Sequence, residues 1–382
     1  MNALLKCFVP CPRGLEEVLM AEISTFGCSS MTKTDGGVSF SGSLETVYKV
    51  NLGSRIASRV LWQVGHGKVQ SEQDVYAIAK KVAWPDFFDV HQTFKVKVDG
   101  KGAKVRSLDF IGLKVKDALC DVFREVHGER PNVEKFQPDV RIHVFINATE
   151  VFLFVDTSGE ALFKRGYRVD TGLAPLRENL AAGILTIAGF DGSQSLLDPM
   201  CGSGTIAIEA ALIARNIAPG IKRRFGFEAL KNFNATAWQD IKNKAIKMQK
   251  KCAVEICASD IDRRLIQDAL TNAQAAGVAD DIDLGVCDVT KTRPHTPEGL
   301  IVTNPPYGVR LDDEERLAAL YPQLGSWLKQ YFAGWTACFF SGDMRLPKLM
   351  RLSPKRKWPL FNGAIDCRLF VIEMVSGSNR KK

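Results

Sequence analysis

Five consecutive residues could hold a flat amine in place for chemistry. The segment 304–308 reads NPPYG and follows the apolar residues 300–303. Two prolines cannot continue a strand or begin an interior helical turn, so they predict a stiff loop. The Asn304 side-chain oxygen and the Pro305 carbonyl oxygen can accept both hydrogens of one exocyclic NH2 group, while the Tyr307 ring stacks on the base. Because this arrangement directs the nitrogen lone pair toward a methyl donor, we predict that these three residues are catalytic.

A glycine-rich turn lies earlier in the chain, at 198–205 (DPMCGSGT), between a short apolar run and a predicted helix. Glycines allow a ligand close to the backbone, and the helix N-terminus offers N–H groups to a carboxylate. The turn lacks the third glycine of a nicotinamide-binding GxGxxG motif, and no P-loop Lys-Ser/Thr pair follows it. Taken alone, such a turn can also be a plain strand-to-helix connection. The residues of this turn that we predict to bind a cofactor are Asp198, Pro199, Cys201, Gly202 and Gly204.

Two more acidic residues follow predicted strands. Asp260 ends the second predicted strand after residue 157, where an acid in a dinucleotide-binding type of fold is placed to bind both ribose hydroxyls of a cofactor. It could also cap the next helix, as could Asp262. Asp288 follows the third strand and could accept the adenine amino group, although Asp is common in loops as well. We predict that Asp260 and Asp288, together with Asn304, complete the cofactor site.

The order of predicted elements explains why these residues should meet. Strands and helices alternate from residue 157 onward, which indicates a doubly wound α/β sheet. The strands are predicted at 195–198, 255–260, 282–286, 299–303 and 336–341, and the helices at 205–214, 264–276 and 316–332. The NPPYG loop follows the fourth strand, after three cofactor-type strand ends in the expected order. This order favours a substrate loop over a simple proline turn.

The first 156 residues do not show this regular alternation of strands and helices. Helical spacing predicts helices at 14–26, 44–51 and 72–82, and alternation predicts strands at 38–40, 61–64, 94–98, 140–146 and 151–156, the last two as a hairpin. A basic group surrounds the turn and helix after residue 98. We predict that this group, together with two cations further along the chain, forms a face that binds RNA phosphates; the alternative is a solvated surface. The residues of the predicted face are Lys101, Lys104, Arg106, Lys114, Lys116, Lys164 and Arg165.

Composition limits the remaining choices. The chain has 382 residues and a formal net charge of +8, which permits a polyanionic partner without requiring one. No apolar run reaches the ~18 residues needed to span a bilayer, so we expect a cytoplasmic protein without a membrane partner. The ten cysteines and five histidines form no paired CxxC or triad pattern, so we expect no metal, with Cys7 and Cys11 as buried thiols rather than zinc ligands. Cys201 lies in the cofactor turn, where its thiol would face the cofactor, which argues against methylation of a base carbon.

These motifs resemble the bacterial 23S rRNA guanine-N2-methyltransferases that carry a THUMP RNA-binding domain. The resemblance runs nearly end to end. Its segments are 11–16 (CPRGLE), 163–168 (FKRGYR), 174–181 (APLRENLA, similar to motif X of such enzymes), the glycine turn 198–205 and the loop 304–308. The family's insertion between the first two cofactor strands corresponds to residues 216–238, which explains the distance from the glycine turn to Asp260.

The resemblance implies a ferredoxin-like segment at 1–60, a THUMP domain at 61–156 and a Rossmann-like methyltransferase domain at 157–382. It implies S-adenosylmethionine as cofactor, and 23S rRNA or a large-subunit assembly precursor as partner. Some relatives carry a second methyltransferase domain after the first, which we expect to be absent here. Guanine-N2 methylation of tRNA and adenine-N6 methylation of RNA stay open as alternatives. An RNA-binding module with a degenerate cofactor fold is a further alternative, which the intact motifs disfavour.

Overall fold

The computed structural model describes residues 4–168, 176–306 and 311–375. The strands are β1 (Leu5–Pro10), β2 (Ser29–Thr34), β3 (Gly37–Gly42), β4 (Leu61–Lys68), β5 (Phe94–Lys101), β6 (Val140–Asn147), β7 (Glu150–Asp156), β8 (Leu196–Asp198), β9 (Ile256–Asp260), β10 (Asp283–Val286), β11 (Leu300–Thr303), β12 (Thr336–Ser341), β13 (Arg356–Asn362) and β14 (Ile365–Glu373). The helices are α1 (Glu16–Ser24), α2 (Leu44–Gly53), α3 (Glu72–Lys80), α4 (Leu108–His127), α5 (Glu178–Ile187), α6 (Thr205–Ala214), α7 (Ala235–Lys247), α8 (Arg263–Ala276), α9 (Leu311–Tyr331) and α10 (Leu346–Leu349). No helix within these ranges is both long and apolar enough to cross a membrane.

The first seven strands form one sheet in the order β2-β3-β1-β4-β7-β6-β5. Strands β1 and β4 pair antiparallel, with Cys7 opposite Trp62, so the ferredoxin-like and THUMP segments share a continuous sheet. The predicted domain boundary after residue 60 lies directly before β4, and β4 pairs with β1 on the other side of that boundary. The predicted hairpin is also present, because β6 and β7 pair antiparallel.

The other seven strands form a second sheet in the order β10-β9-β8-β11-β12-β14-β13. Strands β8 to β12 are parallel, and β14 runs antiparallel to β12. This is the doubly wound α/β fold that the sequence predicts. The strand order reverses between β8 and β11, and ligands of such sheets bind at the carboxyl ends of the strands beside this switch point.

The two sheets are joined by a shared core. One hydrophobic cluster of buried residues extends from Val9 in the first sheet to Leu369 in the second. The predicted insertion contributes an aromatic group to this junction. Tyr48 of α2 lies 4.3 Å from Phe227 and 5.9 Å from Trp238 between ring centroids, and its hydroxyl accepts a hydrogen bond from the Asn234 N–H at 3.0 Å.

Several elements were not predicted from the sequence. Strand β2 (SSMTKT) is polar and mostly exposed, so it has no apolar alternation to detect. Helices α5 and α7 lie in stretches interpreted as a connector motif and an insertion. Strands β13 and β14 form a hairpin around Gly363, whose φ of 62° suits glycine in a tight turn. Asn362-Gly363 is itself a hairpin signal that our interpretation did not use.

Candidate cofactor and substrate site

Parallel pairing brings the predicted strand-end residues to one edge of the second sheet. Strand β8 lies between β9 and β11, and the carboxyl ends of all three meet at the switch point. The Thr303 hydroxyl of β11 contacts the Asp198 carboxylate of β8 at 2.8 Å. The Gly202 N–H donates to the Asp260 carboxylate of β9 at 3.0 Å. The glycine turn, the second-strand acid and the residue before Asn304 are therefore directly connected.

The two glycines of the turn have different physical reasons to be glycine. Gly202 and Gly204 have φ values of 54° and 82°, a left-handed region that favours glycine. A Cβ on Gly202 would meet nothing within 4 Å, so this face is open to a ligand. A Cβ on Gly204 would lie 3.0 Å from the Ala269 Cβ, so Gly204 permits close packing against α8. No side chain caps the N-terminus of α6, which leaves its first N–H groups for an anionic group of a ligand.

The Asp198 side chain differs from our expectation. Its carboxylate is 1% exposed and is held by the Thr303 hydroxyl and the Met200 N–H, at 2.8 and 3.4 Å. Burial raises the pKa of this carboxyl to about 7, and the nearby Asp260 carboxylate adds to the effect. We predicted a cofactor contact, but the side chain points into the protein and ties the glycine turn to β11.

Pro199 and Cys201 are also buried. The Cys201 Sγ lies 3.6 Å from the Gly202 carbonyl oxygen, and burial raises the pKa of the thiol far above its usual value. Such a thiol is neutral and does not act as a nucleophile. The Cys201 side chain is buried and therefore offers little surface to a cofactor, and its place facing the cofactor stays a prediction.

Of the two roles considered for the acids after β9, helix capping is seen in the structure, and cofactor binding by Asp260 and Asp288 stays a prediction. Asp260 accepts from the N–H groups of Gly202 and Asp262, each at 3.0 Å. Asp262, not Asp260, caps α8 by accepting from the Arg264 N–H at 2.8 Å. Asp288 accepts from the N–H and hydroxyl of Thr290 at 2.8 and 2.7 Å, and these hydrogen bonds lower the pKa of its carboxyl. Asp260 and Asp288 therefore lie at the carboxyl ends of neighbouring strands, each held by hydrogen bonds from its own loop.

Asn304 presents an acceptor without a donor. Its Oδ1 atom is buried and has no hydrogen-bond partner among the described residues. An unsatisfied buried acceptor costs about 1–3 kcal/mol, so such a group calls for an explanation. Pro305 beside it is buried. Tyr307, the third predicted catalytic residue, lies outside the described residues.

Sequence reasoning missed four residues at this edge. Arg168 donates to the Ser203 and Thr205 hydroxyls of the glycine turn at 3.2 and 2.9 Å, and to the Glu178 carboxylate at 3.0 Å. Both Arg168 and Glu178 lie in segments that carried the family resemblance, which was the available signal. Ile261 directly follows Asp260 and is 73% exposed, and Val286 is the last residue of β10 and is 50% exposed. Apolar side chains exposed beside Asp260, for which we predict ribose binding, suit a flat adenine ring.

The predicted RNA-binding residues do not form one surface. Arg165 is 5% exposed, and its guanidinium donates to the carbonyl oxygens of Leu162 and Arg55 at 2.7 and 2.6 Å and pairs with Glu209 at 3.5 Å. The assignment of Arg165 to an RNA face is wrong, because its charge is neutralised inside the junction between the two sheets. Lys164 is exposed and pairs with Glu160 at 2.9 Å.

The remaining cations lie at the opposite end of the first sheet. Lys101 ends β5, Lys104 and Arg106 follow it and are exposed, and Lys114 is on α4. The Phe110 ring lies between Arg106 and Lys114, with its centroid 5.6 and 5.3 Å from the two cationic groups. Lys116 pairs with Asp117 at 2.9 Å and, two positions after Lys114, faces another side of the helix.

Cys7 and Cys11 are buried thiols, as expected, with pKa values raised by burial. Across the described ranges, no group of three or more His, Cys, Asp or Glu side chains is arranged to hold a metal ion.

This site fits a nucleoside cofactor with a carboxylate-bearing tail. Asp260 would hold the ribose, and Ile261 and Val286 would contact the adenine. The tail carboxylate would bind at the open turn around Gly202 and at the start of α6. Together with the sheet order, these features define a Rossmann-like methyltransferase. Residues 165–370 match the family described as RMKL-like, methyltransferase domain, and the chain belongs to this family. Residues 69–156 match the THUMP domain, and residues 6–61 match the RlmL ferredoxin-like domain.

Relatives and solved structures agree with this assignment. A ribosomal RNA large subunit methyltransferase K/L of Shewanella baltica is 38% identical over 384 residues, 99% of this chain and 54% of the relative. The chain thus spans about half the length of the curated relatives it matches. A methyltransferase crystallised with SAH has a TM-score of 0.90 at 26% identity, covering 99% of this chain and 100% of that one. The structure of a predicted N6-adenine-specific DNA methylase from Listeria monocytogenes has a TM-score of 0.88 at 29% identity, with 97% coverage of both chains. The cofactor is S-adenosylmethionine, as predicted.

Proposed function

We propose that this chain methylates the exocyclic N2 amine of a guanine in 23S ribosomal RNA. The unsatisfied Asn304 Oδ1 atom is the observation that carries the proposal. An exocyclic amine is the donor that this acceptor lacks. The name of the Shewanella baltica relative, a large-subunit rRNA methyltransferase, supports ribosomal RNA as the substrate, and the THUMP domain match supports RNA in general.

The chemistry requires positioning more than acid–base catalysis. S-adenosylmethionine, when bound, supplies an electrophilic methyl group on a sulfonium that is already a good leaving group. Asn304 Oδ1 and the Pro305 carbonyl oxygen each accept one N–H of the amine, which turns the nitrogen lone pair out of conjugation with the base. The amine becomes acidic only after methylation, and its proton passes to solvent. Catalysis of this kind depends on orientation and on exclusion of water.

The residues that we assign to the cofactor lie at the carboxyl ends of the strands of the second sheet. We assign the ribose to Asp260, the adenine amino group to Asp288, and the adenine faces to Ile261 and Val286. Asp198 is a positioning residue, since its carboxylate connects the glycine turn to Thr303, the residue before Asn304. Tyr307 is retained as the residue that stacks on the target base.

Adenine-N6 methylation is a second candidate, because the Listeria monocytogenes protein is described as a predicted N6-adenine-specific DNA methylase. Adenine N6 and guanine N2 are both exocyclic amines, so Asn304 and Pro305 suit either. Guanine-N2 methylation of tRNA is compatible with the same geometry.

The nucleoside product distinguishes these candidates. The chain would be incubated with methyl-labelled S-adenosylmethionine and, in parallel, protein-free 23S rRNA, total tRNA and double-stranded DNA, followed by digestion and mass spectrometry of nucleosides. We expect N2-methylguanosine from 23S rRNA. N6-methyladenine from any nucleic acid, or label only in tRNA, would refute the proposal.

A further inference from the structure

One face of the first sheet carries aromatic side chains that none of the described helices covers. Helices α3 and α4 pack on the other face: a Cβ on Gly65 would lie 3.0 Å from both Val82 and Leu153, and one on Gly112 would lie 3.3 Å from Val98. Side chains alternate along a strand, so the neighbours of Leu153 and Val98 point to the opposite face. The aromatic side chains on that face include His66, Phe145 and Phe152.

These three rings form a partly exposed row. His66 and Phe152 stack with centroids 4.4 Å apart and planes at 22°, and Phe145 lies 6.4 Å from Phe152. Phe145 is 37% exposed and the His66 side chain is 40% exposed. The solvated face of an antiparallel sheet is normally polar. Aromatic rings at stacking distance on such a face are suited to hold another flat ring system.

Charged side chains of both signs border this row, and the His66 Nε2 atom lies 2.9 Å from the Glu150 carboxylate. Asp99 pairs in register with Phe145 and Lys97 with His143, so Lys97 points to the same face. Lys97 pairs with Asp99 at 3.0 Å and Lys101 with Asp35 at 2.8 Å, and all four side chains are more than half exposed. Exposed ion pairs of this kind are weak, so each lysine can exchange its carboxylate for a phosphate.

We propose that this face, the aromatic row with Lys97 and Lys101, binds an unpaired segment of RNA. This inference rests on the proposed function, in which the substrate is RNA. Bases stacked on His66, Phe145 and Phe152 would be held without sequence preference, and the lysines would hold the phosphates. The segment must be unpaired because a duplex hides the faces of its bases.

The position of the face predicts which step it affects. Strand β6 starts near the methyltransferase half, where Arg141 pairs with Glu160 at 2.7 Å. Phe145 lies four residues further along, roughly 13 Å away at about 3.3 Å per residue. The face belongs to the first sheet and shares no residue with the site around Asn304 in the second sheet, so its loss should weaken RNA binding without slowing methyl transfer on bound RNA.

The test compares full-length variants by RNA binding across a salt series and by single-turnover methylation of 23S rRNA. Phe145→Ala should weaken binding roughly 10-fold or more, with an unchanged salt slope and an unchanged rate at saturating RNA. Phe145→Tyr keeps the ring and should bind like wild type. Lys97→Ala should flatten the salt slope by about 0.7. Leu113→Ala, at an α4 position that is 49% exposed, is the matched control and should change nothing.

Competition identifies the ligand. Oligoadenylate should displace rRNA from wild type and not from Phe145→Ala, whereas an RNA duplex of the same length should displace both alike. Equal binding by wild type and Phe145→Ala overturns the inference and leaves the proposed function intact. A defect seen only on protein-containing ribosomal particles overturns it in favour of a protein partner. A wild-type chain that neither binds nor methylates any RNA overturns the inference and the proposed function together.

Discussion

Asp198 and Thr303 show how single side chains set the relation between the two loops of the site. Their contact at 2.8 Å connects the end of β8 to the residue before Asn304. Burial raises the pKa of Asp198 to about 7, against an ordinary value of 3.8. Between these two pH values the folded protein keeps a proton on Asp198 that the unfolded chain releases.

This proton makes stability fall with rising pH. The contribution of Asp198 to the free energy of unfolding is fully present below about pH 4 and is lost as pH rises through about 7, by at most about 4 kcal/mol. Urea unfolding of wild type and Asp198→Asn over this range would measure it. We expect a flatter pH profile for the Asn variant, which keeps an acceptor for Thr303 but does not titrate. Parallel profiles would show that Asp198 is not protonated in the folded protein.

Asp260→Ala should weaken S-adenosylmethionine binding by about 1.5–3 kcal/mol, the range of hydrogen bonds to charged groups. The same carboxylate accepts a hydrogen bond from the Gly202 N–H, so the variant also loosens the glycine turn. Asp260→Asn keeps an acceptor for Gly202 and should lie between Ala and wild type in calorimetric titration. Asp262→Ala removes the α8 cap and the exposed ion pair with Arg264, and it should retain wild-type affinity. Wild-type affinity for Asp260→Ala would remove Asp260 from the ribose site.

Residue type and strand order were sufficient to place Asp198, Asp260 and Asn304 at one edge, because parallel strands share their carboxyl end. They were not sufficient to give side-chain direction. Asp198 turns inward because Thr303 lies on the neighbouring strand, a contact between residues far apart in sequence. Arg165 looked like a surface cation because its buried partner Glu209 belongs to a helix that follows much later.

At the scale of elements, the end of β5 and the start of α4 form a cationic surface. Replacing Lys101, Lys104 and Arg106 together by Ala should weaken RNA binding and flatten its salt dependence by roughly 0.7–0.9 for each phosphate that the variant no longer binds. Lys116→Ala is the comparison variant, since Lys116 pairs with Asp117 on another side of α4. RNA affinity and salt slope would both be measured. If the triple variant behaves like Lys116→Ala, this surface does not contact RNA.

Elements with strong periodicity were predictable and those defined by partners were not. The predicted helix 205–214 matches α6, whose residues are almost all buried, and the predicted helix 264–276 matches α8 within one residue. Strand β2 forms only because β3 pairs with it, since its own residues are polar. The continuous pairing of β1 with β4 was also hidden, because composition says nothing about which strands meet.

At the scale of the whole molecule, the insertion acts as the connection between the two halves. Trp238 is 5% exposed and lies against Tyr48, Phe225 and Phe227. Trp238→Ala should lower the free energy of unfolding by about 3–5 kcal/mol, the usual cost of removing a buried Trp. Ile246→Ala, in the same helix at a position 49% exposed, should cost less than about 0.5 kcal/mol. Equal effects of the two changes in urea unfolding would contradict this role of the insertion.

The central claim is that Asn304 orients an exocyclic amine for methyl transfer. The most direct measurement is the single-turnover rate of Asn304→Ala on 23S rRNA, with S-adenosylmethionine affinity measured in parallel. Removal of one preorganised polar group at a reacting centre should reduce the rate by about 10²–10³-fold while cofactor affinity stays close to wild type. Asn304→Asp still accepts a hydrogen bond and should retain more activity than Ala. A near-normal rate for Asn304→Ala would contradict the account.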